Sequence, residues 1–129
     1  MRVLHFVWPY IQHTANPVTL PALTAADLAM TIDSRNPLAA PGLDGWRTTE
    51  LQLLPKKCLE QIASFFSQLE NECGGSIPEV LLRAKQALLN KSGPASPLNK
   101  RLITVLSPLL LAYSGTRFRQ LQCLSLIHI

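Results

Sequence analysis

The sequence predicts an α+β domain that is mostly helical and carries one β-hairpin. Two observations lead to that prediction. Between residues 24 and 82 apolar side chains recur at three- and four-residue spacing, the period of a helix with one buried face. Further on, Ala87-Leu88-Leu89 and the β-branched run Leu102-Ile103-Thr104-Val105-Leu106 flank Ser92-Gly93-Pro94-Ala95-Ser96-Pro97-Leu98-Asn99, a loop through which neither strand can continue. With 129 residues, 47% of them hydrophobic, the chain can form one modest core, and its length gives no reason to expect two domains.

Residues 1–23 read as an irregular lead-in, rich in aromatics and prolines (Trp8, Pro9, Tyr10, Pro17, Pro21) and without a sustained period. The apolar start is broken by His5, ends at Pro9 and has no small-residue cleavage site, so it is not expected to be a secretion signal. Thr24 then supplies an N-cap with Asp27 three residues on, and Ala25, Leu28, Ala29 and Ile32 mark one face of a short helix ending near Ser34. The segment from Pro37 to Gly45 holds two prolines and two glycines and reads as a turn, with Asp44-Gly45 its strongest signal. One carboxylate beside a glycine is a turn former before it is a metal ligand or acid–base group.

Thr48-Thr49-Glu50 opens a short helix that stops before Pro55, and Pro55 can stand in the first turn of the next. In that long helix Leu59, Ile62, Phe66 and Leu69, supported by Cys58, Ala63 and Phe65, form a wide apolar stripe with Cys58 expected in the core. Gly74-Gly75 ends it, and Ser76-Ile77-Pro78-Glu79 has the spacing of a capping box for a further short helix. After the hairpin, Ser107-Pro108 signals a last helix through Leu110, Tyr113, Phe118 and Leu121.

The net charge of +4 conceals a division. Residues 1–80 hold five Lys/Arg against eight Asp/Glu, whereas residues 81–129 hold seven Lys/Arg and no acid. That polarity suggests a nucleic-acid or nucleotide face in the C-terminal part, although acidic proteins and anionic lipid suit such a surface too. Lys91, Lys100 and Arg101 gather at the loop end of the hairpin, where three cations are easiest to hold if a phosphate comes to rest among them. The competing reading is a solvated turn whose lysines blunt an edge strand. Arg117 and Arg119 can contact a phosphate backbone or simply line an exposed helix face.

Cys58, Cys73 and Cys123 are odd in number and far apart, which fits an intracellular, reducing compartment rather than a disulfide framework. His5, His13 and His128 are isolated, so no metal site is expected, and no GxSxG elbow points to a hydrolase. The apolar run from Leu102 to Ala112 contains Pro108 and is too short to span a bilayer, so no membrane role is expected.

Four motifs occur in an order that resembles the N-terminal fingers region of reverse transcriptases from non-LTR (LINE-type) retrotransposons. They are Ala40-Pro41-Gly42-Leu43-Asp44-Gly45-Trp46, Ile77-Pro78-Glu79, Leu89-Asn90-Lys91-Ser92-Gly93, and Lys100-Arg101-Leu102-Ile103-Thr104-Val105-Leu106-Ser107. The resemblance spans about residues 24–122. It implies a partial fingers subdomain of a polymerase right-hand fold, with Pro41, Gly42, Asp44 and Gly45 forming a structural turn. It further implies that Lys91 and Arg101 bind the triphosphate of an incoming nucleotide, and that the full-length enzyme works on an RNA template and a DNA primer with magnesium. Lys100, Arg117 and Arg119 are then candidates for nucleic-acid backbone contacts.

Asn90, Lys100 and Leu102 stand where that family usually carries Pro, an aromatic residue and Pro, which implies a looser hairpin. The family's catalytic aspartates follow the hairpin, in a strand and an aromatic-x-Asp-Asp turn. Asp27, Asp33 and Asp44 all precede it, so a fragment inactive by itself and lacking the palm subdomain is expected, with no catalytic residue and no cofactor of its own. Residues 123–129 resemble a translated sequencing adapter and are expected to add nothing to fold or function. The alternative function is a small helical protein-interaction module docking through apolar faces around Phe65, Phe66 and Leu110.

Overall fold

A computed structural model describes residues 19–94 and 96–127. Most of the lead-in, residues 1–18, and the last two residues of the tail lie outside these described residues, as do His5, His13 and His128. In chain order the elements are α1 (Ala25–Asp33), α2 (Thr48–Gln52), α3 (Lys56–Glu72), α4 (Glu79–Leu82), β1 (Lys85–Asn90), β2 (Lys100–Val105) and α5 (Pro108–Ile127). The fold is α+β, about half helical, with one two-stranded antiparallel hairpin.

Local signals account for the start of α1 and the end of α3. Thr24 Oγ1 accepts from the Asp27 backbone N–H at 3.1 Å and donates to the Asp27 carboxylate at 2.8 Å, which closes the first turn of α1. At the end of α3, Gly74 and Gly75 take φ of 61° and 77°, and the Gly75 N–H reaches back to the Leu69 carbonyl at 2.9 Å. Only glycine adopts two such left-handed conformations in succession without strain.

The core lies among α1, α3 and α5. Leu28, Ile32, Leu51, Leu59, Ala63, Phe66 and Ala112 are buried in it, and α1 packs against both long helices. Where α1 meets α5 the helices approach closely. A Cβ on Gly115 would lie 2.9 Å from Thr31 Cγ2, and the buried hydroxyls of Thr31 and Thr116 are hydrogen-bonded at 2.8 Å. A larger residue at 115 would force the helices apart, whereas glycine lets the two hydroxyls satisfy each other out of water.

Between α3 and α5 the rings of Phe66 and Tyr113 stack with centroids 4.4 Å apart and 9° between planes. The stack carries the Tyr113 hydroxyl to Glu70 Oε1, to which it donates at 2.6 Å. Arg117 grips the same carboxylate with two donors, Nε to Oε1 at 2.7 Å and Nη2 to Oε2. Its remaining nitrogen, Nη1, donates to the Pro21 carbonyl at 2.7 Å and to Gln120 Oε1 at 2.5 Å.

In four places the structure departs from the sequence prediction. Helix α4 begins at Glu79 with Pro78 at its N-cap and no side-chain cap, so the Ser76–Glu79 spacing is not a capping box: Glu79 stands at the first helical position instead of the third. Cys58 is half-buried rather than in the core. Phe65 is 42% exposed, while its neighbour Phe66 takes the inner position. Finally, α5 continues past Gln122 to Ile127, since nothing between those residues is Gly or Pro.

The hydrogen bond from Arg117 holds the Glu70 carboxyl below its ordinary value of 4.5, against burial, which acts the other way. Burial and the neighbouring Glu70 push the Tyr113 hydroxyl up. A carboxyl depressed in the folded state stabilises the fold above its unfolded pKa, and that contribution disappears as pH falls through the folded value. The melting temperature should therefore fall more steeply as pH drops below about 5 in the wild type than in Glu70→Gln. Arg117→Ala should cost roughly 2 kcal/mol in denaturant unfolding at neutral pH, because it leaves the half-buried Glu70 carboxylate without its charged partner.

Candidate phosphate-binding hairpin

Strand pairing decides which cations can act together. The register runs from Lys85 opposite Val105 to Asn90 opposite Lys100, and the Lys91 N–H adds one more rung to the Asn99 carbonyl at 3.1 Å. Opposed residues share a face and successive residues alternate. One face therefore carries Lys85, Ala87, Leu89 and Lys91 beside Arg101, Ile103 and Val105. The other carries Gln86, Leu88 and Asn90 beside Lys100, Leu102 and Thr104.

Lys91 and Arg101 thus lie diagonally on one face at the tip, about 7–8 Å apart at the backbone. Lys100 belongs to the opposite face, where its ammonium donates to the Asn90 side-chain oxygen. The three cations that the sequence gathers at one place are split two and one, and the split relieves part of their repulsion.

The loop between the strands is tied internally. Asn99 donates from its side chain to the Pro94 carbonyl at 3.2 Å and from its backbone to the Ser96 carbonyl at 3.0 Å, while Gly93 takes φ of 128°. Both faces of the hairpin are open to solvent, with only Val105 half-buried along the two strands. Beside the base of β2 lies a hollow of about 280 Å³ lined by Arg35, Ala40, Thr48, Ile103 and Val105.

At that base the turn predicted at 41–45 meets the chain as it leaves β2. Gly42 is buried with its backbone against Leu106 and Ser107, and the Asp44 carboxylate accepts from Ser107 Oγ at 2.5 Å. Asp44 also accepts from the Trp46 N–H at 3.3 Å, and the Gly45 N–H bonds to the Gly42 carbonyl at 3.3 Å with Gly45 at φ 77°. Pro41 opens the turn, half-buried.

The two arginines of α5 differ. Arg117 is turned inward onto Glu70, its side chain 12% exposed, which leaves its guanidinium few donors for a phosphate. Arg119 is half-buried and, among the described residues, has no hydrogen-bond or ion-pair partner. The sequence reading missed Asn90, Asn99 and Arg35. The first two stand at the two ends of the loop, Asn90 opposite Lys100 and Asn99 opposite Lys91, a signal that becomes legible once the register is known.

Among the described residues no group of three His, Cys, Asp or Glu could hold a metal ion. Asp27 is bonded to Thr24 and Asp44 to Ser107. No helix among the described residues is long and apolar enough to cross a membrane.

A second concavity, about 460 Å³ and almost wholly apolar, lies between α3 and α4 and is lined by Trp46, Cys58, Ile62, Phe65, Val80 and Leu81 among others. Of the three residues expected on an apolar docking face, Phe65 and Phe66 line this concavity, Phe65 exposed and Phe66 mainly in the core, whereas Leu110 is buried elsewhere.

The split of the cations has a measurable consequence. In fluorescence anisotropy with a labelled RNA–DNA duplex, Arg101→Ala and Lys91→Ala should each weaken binding by about threefold to tenfold, and Lys100→Ala by less than either.

No protein-family model matches the chain, and no curated protein and no solved structure matches it.

Proposed function

We propose that this chain is the fingers part of a non-LTR retrotransposon reverse transcriptase and that its hairpin contacts the phosphates of a nucleotide or of an RNA–DNA duplex. The observation that supports this reading best is the register, which pairs Arg101 with Leu89 and so leaves Lys91, bonded to Asn99 one rung on, diagonal to Arg101 on one exposed face. An arginine fork offers two parallel donors to a phosphate, and a lysine beside it adds a point charge. Both are fixed to the tip of a hydrogen-bonded ladder, so they meet an anion without first having to be gathered. Nucleotidyl transfer also needs metal-holding carboxylates, so the reading for these residues is binding and not turnover.

The apolar concavity favours a second reading, a protein-interaction module in which Phe65, Trp46 and Val80 receive an apolar partner. Salt distinguishes the two. Phosphate contacts release counterions and weaken steeply as salt rises, whereas apolar burial is not screened.

The deciding experiment titrates a labelled RNA–DNA duplex with the full chain at several salt concentrations, wild type against Lys91→Ala/Lys100→Ala/Arg101→Ala. The wild type should bind weakly, with a dissociation constant on the order of 10⁻⁵ M near physiological salt, and the triple variant should lower the salt slope by about two to three. A triple variant that binds as the wild type does would overturn the hairpin's role.

A further inference from the structure

We infer that the turn at residues 41–45 is the lock that sets the direction of the hairpin, with Asp44 as its positioning residue. The inference deepens the phosphate-binding reading, and its value for binding rests on that reading. The hairpin is exposed on both faces, so among the described residues no layer of side chains along its length fixes where it points. Its direction is set where the strands join the helical body. The join at β1 is weak: α4 has four residues, none buried, and Arg83, which follows it, is exposed and, among the described residues, bonded only to Glu79 on the same turn.

The join at β2 is of another kind. Ser107 is 2% exposed and serves two neighbours at once. It starts α5, its carbonyl accepting from the Leu111 N–H at 3.0 Å, and its hydroxyl donates to Asp44 at 2.5 Å. The Gly42 backbone lies against the same residue so closely that a Cβ there would stand 2.9 Å from Ser107 Cα and 3.0 Å from the Leu106 carbonyl oxygen. Asp44 is itself held by the Trp46 N–H, and the turn by the bond from Gly45 to Gly42. A rigid turn is therefore pressed and bonded onto the single point where β2 becomes α5.

Leverage makes that point matter. Arg101 stands six residues before Ser107, about 20 Å of extended strand, so a rotation of about 10° at the base displaces the tip by about 3–4 Å. Displacements well below that already ruin a charged hydrogen bond. Loosening the lock should then weaken phosphate contact without removing any phosphate-binding group.

The test uses the full chain labelled with ¹⁵N, with residual dipolar couplings read separately for the hairpin amides and the helix amides. Duplex binding is measured in parallel against salt, in the wild type, Asp44→Ala, Asp44→Asn and Gly42→Ala. In the wild type both sets of couplings should fit one alignment. In Asp44→Ala and Gly42→Ala, with helical circular dichroism retained, the hairpin couplings should shrink relative to the helices. Duplex affinity should then drop about threefold to tenfold at an unchanged salt slope, whereas Arg101→Ala lowers the slope by about one. Asp44→Asn keeps an acceptor for Trp46 and a partner for Ser107 and should stay within about twofold of wild type.

Hairpin couplings that still share the helices' alignment in both Asp44→Ala and Gly42→Ala would overturn the lock. So would a wild type whose hairpin and helices do not share one, an outcome that needs no variant to fold. A wild type with normal couplings that binds no duplex would instead defeat the phosphate-binding reading and leave the lock standing.

Discussion

The stack of Tyr113 on Phe66 is the contact on which the rest of the molecule depends, because α5 carries the better-anchored end of the hairpin among the described residues. Apolar burial holds α5 to the core but is non-directional, and it would tolerate a helix rotated about its own axis. The polar partners remove that freedom. Tyr113 and Arg117, four residues apart, converge on one carboxylate of α3, while Thr116 between them turns to Thr31 of α1. Partly buried ion pairs gain little net stability once desolvation is counted, so their main effect here is to select one rotation of α5.

From that fixed helix the argument passes outward to the hairpin. A two-stranded hairpin is marginal alone in water, and this one presents Leu88 and Leu102 to solvent at 65% and 60% exposure. It persists because both ends are closed, the tip by Asn99 and the base by Gly42 and Asp44 on Ser107. The edge-blunting reading of its cations fits Lys85, which stands at the first rung beside the body. It fits Lys91 and Arg101 less well, because they cluster at the last rungs, where a neighbouring strand would have least left to pair with.

How much of this was legible in the sequence follows from how far apart the cooperating residues lie. Thr24 with Asp27 and the Gly74-Gly75 stop are written within a turn of chain, and both were readable. The hairpin was readable because two apolar runs and a Pro/Gly loop leave few alternatives. Its faces were not, since alternation gives no answer until the register is chosen, and one residue of slip would have put Lys100 where Arg101 stands. Arg117 was read as either a phosphate contact or an exposed helix arginine, because its carboxylate lies 47 residues away on another helix. Asp44 was correctly read as a turn former, yet its bond to Ser107 spans 63 residues and leaves no local trace.

The charge division along the chain overstates what an anion would meet. Of the seven cations after residue 80, Arg83 is paired with Glu79, Arg117 with Glu70, and Lys100 is bonded to Asn90. Among the described residues Lys85, Lys91, Arg101 and Arg119 remain uncommitted, and the first three share one hairpin face. Lys85 stands six residues from Lys91, about 20 Å along the strand, whereas the Debye length at physiological salt is about 8 Å. Lys85 is therefore screened from the tip, and only Lys91 and Arg101 lie close enough to act on one phosphate together. The proposed anion recognition then depends on the geometry of that pair and on whatever holds it in place, rather than on the +7 of the segment as a whole.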